Sequence, residues 1–181
     1  MLHNSALQLT SPSLTLGRSQ LNARDVRQTF ETSMAIDPTG KWWTGNEPTD
    51  LAEYLTALVT QDTGHRVDHF RLARCACGSL AFTLLTDRRE GCAERVCAAC
   101  TTRQFIADSA DSWTDARPRK WKCTGCKKST CNVGVGFSLV ASGTAVRWLY
   151  VGVRCVTCGV LGCYVDWRIG YEPSLQLLDL P

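Results

Sequence analysis

An α+β protein is predicted, with a short helical N-terminal part packed on two tandem β-rich units. Three observations predict it. One amphipathic helical stripe lies early in the 181-residue chain, the texture turns to β-type from Arg66 onward, and a spacing of cysteine pairs occurs twice within that later region. Apolar content of 44% and charged content of 20% are ordinary for a globular chain and allow a core. The formal net charge of +3 is too small to mark a nucleic-acid binder alone. It is unevenly spread: residues 1–74 carry seven Lys/Arg against eight Asp/Glu, and residues 75–181 thirteen against nine.

Residues 1–21 are polar, rich in Ser, Thr and Leu, and show no period, so a loose tail is expected, with Met34 as a second candidate start. A helical segment is expected over 22–65. Val26, Phe30 and Met34 recur every four residues behind Asn22, a good N-cap type. Asp37–Gly40 reads as a turn. In "DLAEYLTALVTQ", Leu51, Tyr54, Leu55, Leu58 and Val59 form one apolar stripe, and Asp50 with Glu53 resembles a capping box. The stripe is expected to pack on the rest of the fold.

From Arg66 the runs "RVDHFRLAR", "SLAFTLL", "NVGVGFSLV", "AVRWLYVGV" and "CYVDWRI" are rich in β-branched and aromatic residues. Gly143 in "ASGTA" predicts a hairpin turn, and Gly134 and Gly136 within a β-run predict close packing or a bulge. These runs divide into a first unit over 66–112, a linker over 113–117, a second unit over 118–171 and a C-terminal tail over 172–181.

All eleven cysteines lie from Cys75 onward. The count is odd, the N-terminus has no basic and apolar signal-peptide pattern, and nothing approaches the ~18 consecutive apolar residues of a membrane span. A reduced, cytoplasmic protein with no membrane contact is expected, and clustered thiols in such a compartment favour metal. "CAACTTRQFIAD" (97–108) and "CVTCGVLGCYVD" (155–166) share the pattern C-x2-C-x7-D. Cys75-Ala-Cys77 precedes the first, Cys123-Thr-Gly-Cys126 the second, and a β-like run follows each leading pair.

These four pairs, spread over roughly residues 75–167, resemble the zinc-ribbon class of proteins. In that class two knuckle turns each supply two thiolates, and the strands between them bring the knuckles together. The resemblance implies two structural Zn2+ ions, one held by Cys75, Cys77, Cys97 and Cys100 and the other by Cys123, Cys126, Cys155 and Cys158. Zinc takes four thiolates tetrahedrally, and two intervening residues let a turn aim both sulfurs at one point. Glycine after the second cysteine eases the turn at Gly78 and Gly159, whereas Thr101 and Lys127 stand there in the other two pairs. The single residue between Cys75 and Cys77 makes the first set the less regular. Cys163 stands where the other repeat has Phe105, which reads as core packing; Cys92 and Cys131 are spare thiols that could replace a poor ligand.

A zinc with four thiolates carries net charge −2, which Arg74, Arg95, Lys122 and Arg154 can offset from beside the pairs. The remaining cluster, Arg117, Arg119, Lys120, Lys127 and Lys128 together with Lys122 and an interleaved Trp121, suits phosphates and a stacked base, although a solvated linker has the same look. Trp42 and Trp43 are the candidate anchor for a protein partner, with a lid on a thin core as the other reading.

Enzyme readings fail. "CAERVCAAC" lacks the separation and the proline of a nucleobase deaminase signature, and C-x-x-C redox chemistry needs a βαβ setting absent here. His65 and His69 flank a strand, Asp108 and Asp166 are expected to cap turns or pair with basic neighbours, and no triad or nucleotide loop occurs. The expectation is a non-catalytic, zinc-stabilised binding protein with a protein partner and no small-molecule substrate. A nucleic-acid-binding regulator is the second reading and an enzyme of unrecognised type the third.

Overall fold

The β texture after Arg66 becomes eight strands of one antiparallel sheet. The computed structural model describes residues 36–63 and 65–181; the expected tail, the helical pattern at Asn22–Met34 and the alternative start lie outside them. In chain order, β1 (Ile36–Asp37) and β2 (Thr44–Gly45) pair as a small hairpin, and α1 (Asp50–Thr63) follows. Then come β3 (His69–Leu72), β4 (Phe82–Asp87), β5 (Cys92–Cys97), β6 (Arg103–Phe105) and the short α2 (Ser109–Ser112). The chain continues through β7 (Arg119–Lys120), β8 (Cys131–Leu139), β9 (Val146–Cys155) and β10 (Leu161–Arg168), and closes with a 3-10 turn at Leu175–Asp179.

The strand order is β10-β9-β8-β4-β5-β6, with β3 paired to β8 and β7 paired to β4. This order reads the same from either end: third, second and first strand of one unit, then first, second and third of the other. The two first strands meet at a single residue pair, Phe82 with Cys131. Those residues are equivalent in the repeat, since Phe82 also pairs with Cys97 and Cys131 with Cys155. Beyond the meeting point the first strands diverge, as twisted strands do, and each exposes an edge. The strand leading into the other unit fills it. Ala73 N–H donates to Val133 O at 2.9 Å just after β3, and Trp121 N–H donates to Leu84 O at 2.9 Å just after β7. The stretches 66–112 and 118–171 therefore share one sheet and exchange their leading strands.

One face of the sheet buries Phe82, Leu84, Val133, Val135, Phe137, Leu149, Val151 and Val153. The alternate residues of β8 and β9 face α1, whose Leu51, Tyr54, Leu55 and Val59 are buried there with Leu58 at the margin, as the stripe predicts. Gly134, Gly136 and Gly152 make this seat. A Cβ on Gly152 would lie 3.0 Å from Leu55, and one on Gly134 only 2.6 Å from the Phe70 ring. Close packing, not a bulge, is the use of these glycines. Gly134→Ala is expected to cost about 1–3 kcal/mol by overpacking, read as a lowered Tm in thermal unfolding.

Two local expectations are corrected. Asp50 makes no capping box with Glu53. Its carboxylate accepts from the Asn46 and Glu47 N–H groups at 2.7 and 2.8 Å, so it braces the turn before α1. Asp108 and Asp166 pair with indoles, not with turn N–H groups or basic side chains. Trp167 Nε1–H donates to Asp108 and Trp148 Nε1–H to Asp166, each at 2.9 Å. A partly buried indole N–H needs an acceptor, and the repeat supplies one in each half. The hairpin at Gly143 forms as expected, with Gly143 N–H donating to Val140 O at 2.8 Å.

Candidate metal centres

Each cysteine pair sits in a turn of one design. The residue after the second cysteine donates its N–H to the carbonyl of the first: Gly78 to Cys75, Thr101 to Cys97, Lys127 to Cys123 and Gly159 to Cys155, at 2.8–3.0 Å. The first cysteine's own N–H then donates to Ser79, Thr102, Lys128 or Val160. The residue after the second cysteine is left-handed in all four, with φ of 88° at Gly78, 62° at Thr101, 64° at Lys127 and 71° at Gly159. Thr101 and Lys127 thus adopt the glycine conformation at a steric cost that the surrounding hydrogen bonds offset. The one-residue-shorter Cys75–Cys77 turn closes with the same two bonds, one position tighter.

These turns gather the eight thiols named from the sequence into two groups, Cys75/Cys77/Cys97/Cys100 and Cys123/Cys126/Cys155/Cys158, each with its sulfurs within 4.8 Å of one another. The pairing is crosswise: Cys75 Sγ lies 3.5 Å from Cys100 Sγ and Cys77 3.6 Å from Cys97, while Cys123–Cys158 and Cys126–Cys155 are both 3.5 Å. A disulfide needs about 2.05 Å, and four sulfurs at ~2.3 Å from a central ion lie about 3.8 Å apart. The spacing fits a tetrahedral cage, so both groups can hold a metal ion. All eleven cysteines are free thiols.

The cages are prepared for charge. The second sulfur of every pair accepts from the N–H two residues on, at Ser79, Thr102, Lys128 and Val160. The Cys100 N–H helps hold the Cys97 thiol down at about 6, and the Lys128 N–H helps hold Cys126 at about 7. Burial pushes Cys155 up to about 12. The Ser79 N–H favours a Cys77 thiolate, but the three neighbouring thiols push that group to about 12 as well. Four thiolates this close repel one another, and a divalent ion is what admits all four at once.

The remaining cysteines belong to neither cage, although Cys131 stands opposite Cys155 in the β8–β9 ladder. Cys92 and Cys131 are wholly buried, and the Cys131 thiol donates to Phe82 O at 3.5 Å. Cys163 flanks a register shift in β10, and its N–H donates to the Tyr54 hydroxyl at 3.2 Å.

Of the basic residues beside the pairs, only Arg95 is both buried and set against a cage. Its guanidinium stacks 4.9 Å from the Phe82 ring, and Nε donates to Pro181 O at 2.6 Å. Burial lowers its pKa, and the charges of Cys75 and Cys97 oppose that. Arg74 instead closes its own turn by donating to Gly78 O at 3.2 Å. Lys122 is exposed. Arg154 clamps the N-terminal segment, donating to Gly45 O at 2.8 Å, to Asn132 Oδ1 at 3.1 Å and to Asn46 O. Beside that clamp, Gly45 N–H donates to Gly159 O at 3.0 Å and Leu161 N–H to Trp43 O at 2.8 Å.

The other candidate residues divide by exposure. Arg117, Arg119, Lys120, Lys122, Lys127 and Lys128 are exposed. Trp121 is 3% exposed and packs edge-on against Tyr164, so its ring cannot stack a base. The pairing of β7 with β4 turns it inward. Trp42 is 43% exposed with Lys41 over its ring, whereas Trp43 packs edge-on against Tyr54. Half of the expected anchor is thus structural. Arg88 and Arg89, on the turn after β4, join the basic surface although no sequence signal linked them to it. The tie is Asp87, which accepts from the Arg117 and Arg89 N–H groups at 2.7 and 2.9 Å.

Comparison with protein-family models, with curated proteins and with solved structures finds no match to this chain. Among the described residues no helix is long and apolar enough to cross a membrane.

Proposed function

We propose that this is a non-catalytic binding protein whose sheet is locked by two structural zinc ions, in the manner of the zinc-ribbon class. The carrying observation is that each cage offers four sulfurs, each set in a turn of its own hydrogen bonds. A catalytic zinc keeps one position open for water or substrate, and a set of four thiolates leaves none. Zinc suits four soft sulfur ligands at this spacing. A reducing compartment such as the cytoplasm suits eleven free thiols.

The partner in the first reading is a protein, met through the exposed Trp42 on the small N-terminal hairpin. A specific observation favours the second reading, a nucleic acid. The exposed cations of residues 117–128 continue into Arg88 and Arg89, and Asp87 between them is occupied by backbone N–H groups. Salt-titrated binding separates the two, because only phosphate neutralisation gives a steep salt slope.

Native mass spectrometry of freshly purified protein is expected to show two zinc ions per chain. Their apparent affinity is expected to fall as pH falls, because uptake at neutral pH must expel protons from the raised thiols, Cys77 and Cys155 among them. Soluble, folded protein without metal would refute the proposal.

A further inference from the structure

We infer that the face formed by the β4–β5 turn, β7 and β10 is a binding site for single-stranded nucleic acid, with phosphates held by arginines and a base seated beside Tyr164. This deepens the second reading above and rests on it. Two adjoining cavities make the site. The first, about 410 Å3, is lined by Thr86, Asp87, Arg88, Arg89, Arg117, Arg119 and Tyr164. The second, about 340 Å3, is lined largely by apolar and aromatic groups, among them Trp42, the edge of Trp121, Val160, Leu161 and Tyr164. Arg88 and Tyr164 line both, so a cationic cleft and an aromatic recess of ligand-pocket size stand side by side with a shared wall.

The cations are available. Among the described residues the ion pairs are Arg66–Asp68, Arg89–Glu90 and Arg103–Glu94, and Arg88, Arg117 and Arg119 take part in none. Asp87, the carboxylate in the cleft, accepts from three backbone N–H groups, those of Arg89, Glu90 and Arg117. Arg88 is also pre-set. Its Nε donates to Tyr164 O at 2.6 Å, and its guanidinium lies 5.5 Å from the Tyr164 ring centre. Arg88 is thereby held at the wall between cleft and recess, and among the described residues its terminal N–H groups have no hydrogen-bond partner, which suits a phosphate.

The length of the positive track decides between an oligonucleotide and a single anion. Arg117 and Arg119 line the cleft, Trp121 and Thr124 line the recess, and exposed Lys127 and Lys128 follow along the same segment, whereas Lys120 and Lys122 alternate with Arg119 and Trp121 and face the other side of β7. A charged track beside aromatic surface is how proteins bind single strands without reading sequence. An acidic peptide would use the charges but has no flat group to fill the recess at each step.

The experiment is fluorescence anisotropy of the zinc-loaded full chain with labelled oligo-dT and oligo-U of roughly 12 nucleotides, from about 50 to 200 mM salt. Binding to both is expected, weakening steeply with salt. Arg117→Ala/Arg119→Ala should reduce the salt slope by roughly one to two. Tyr164→Leu should weaken binding about tenfold with the slope unchanged, and Tyr164→Phe should bind like the parent protein. Metal content and Tm confirm that each variant is folded. Absence of binding by the parent protein overturns both this site and the nucleic-acid reading. Binding that survives the cleft variants but is lost in Lys127→Ala/Lys128→Ala keeps the reading and overturns the site. Equal or tighter binding of a poly-glutamate peptide overturns the single-strand assignment.

Discussion

Cys155→Ser is expected to unfold both halves of the sheet, not only the half that carries the substituted ligand. Cys155 pairs with Cys131, and Cys131 pairs with Phe82 at the one point where the first strands meet. Losing the second cage releases the start of β8. β3 then loses its partner, and the approach to Cys75 is freed with it. A structural zinc contributes on the order of 10 kcal/mol to the folding of small peptides, more than a domain of this size can spare. A strong chelator should act in the same way. The measurement is far-UV circular dichroism together with hydrogen exchange. Simultaneous loss of protection in β4–β5 and β8–β9 is the expected result, and intact protection in β4–β5 would contradict it.

Phe82→Ala is expected to cost about 3–5 kcal/mol, a large effect for a truncation that leaves the thiols in place. The Phe82 ring is 1% exposed and lies at the junction of the two halves, and it carries the Arg95 guanidinium on its face. Truncation opens a void and withdraws the surface on which a buried cation rests. Arg95 is 5% exposed and its Nη1 has no hydrogen-bond partner, so besides the Nε bond to Pro181 O the Phe82 ring is what it rests on beside the first cage. Denaturant unfolding should show the loss, and Phe82→Leu, which keeps much of the volume, should recover most of it.

Much of the metal chemistry was legible because it is local. One or two residues between thiols, a twofold occurrence of the C-x2-C-x7-D spacing and a β-run after each leading pair were enough to group eight of eleven cysteines as the structure groups them. The stripe of α1 and the Gly143 turn were legible for the same reason. What escaped depends on contacts between distant residues. β3 has four residues and β7 two, too short to display a period, so the exchange of leading strands left no trace in the pattern. The burial of Trp121 follows from that exchange, and its neighbours in sequence are all exposed cations or thiols. Arg88 stands far from the 117–128 cluster in sequence and comes beside it only through the β4–β7 pairing. The left-handed Thr101 and Lys127 show that the knuckle geometry is imposed by thiol convergence and backbone bonding even where residue preference opposes it.

A sheet that reads identically from its two ends is also the sheet that two copies of one half-length chain would build by association. Joining the copies covalently removes the dependence on concentration and frees the two sides to specialise. In this molecule the side that carries His69–Leu72 is the bed for a long helix, and among the described residues the side that carries Arg119–Lys120 has only the short α2 against it and presents exposed cations. Asymmetry of covering on a symmetric scaffold is thus what gives the molecule a front and a back.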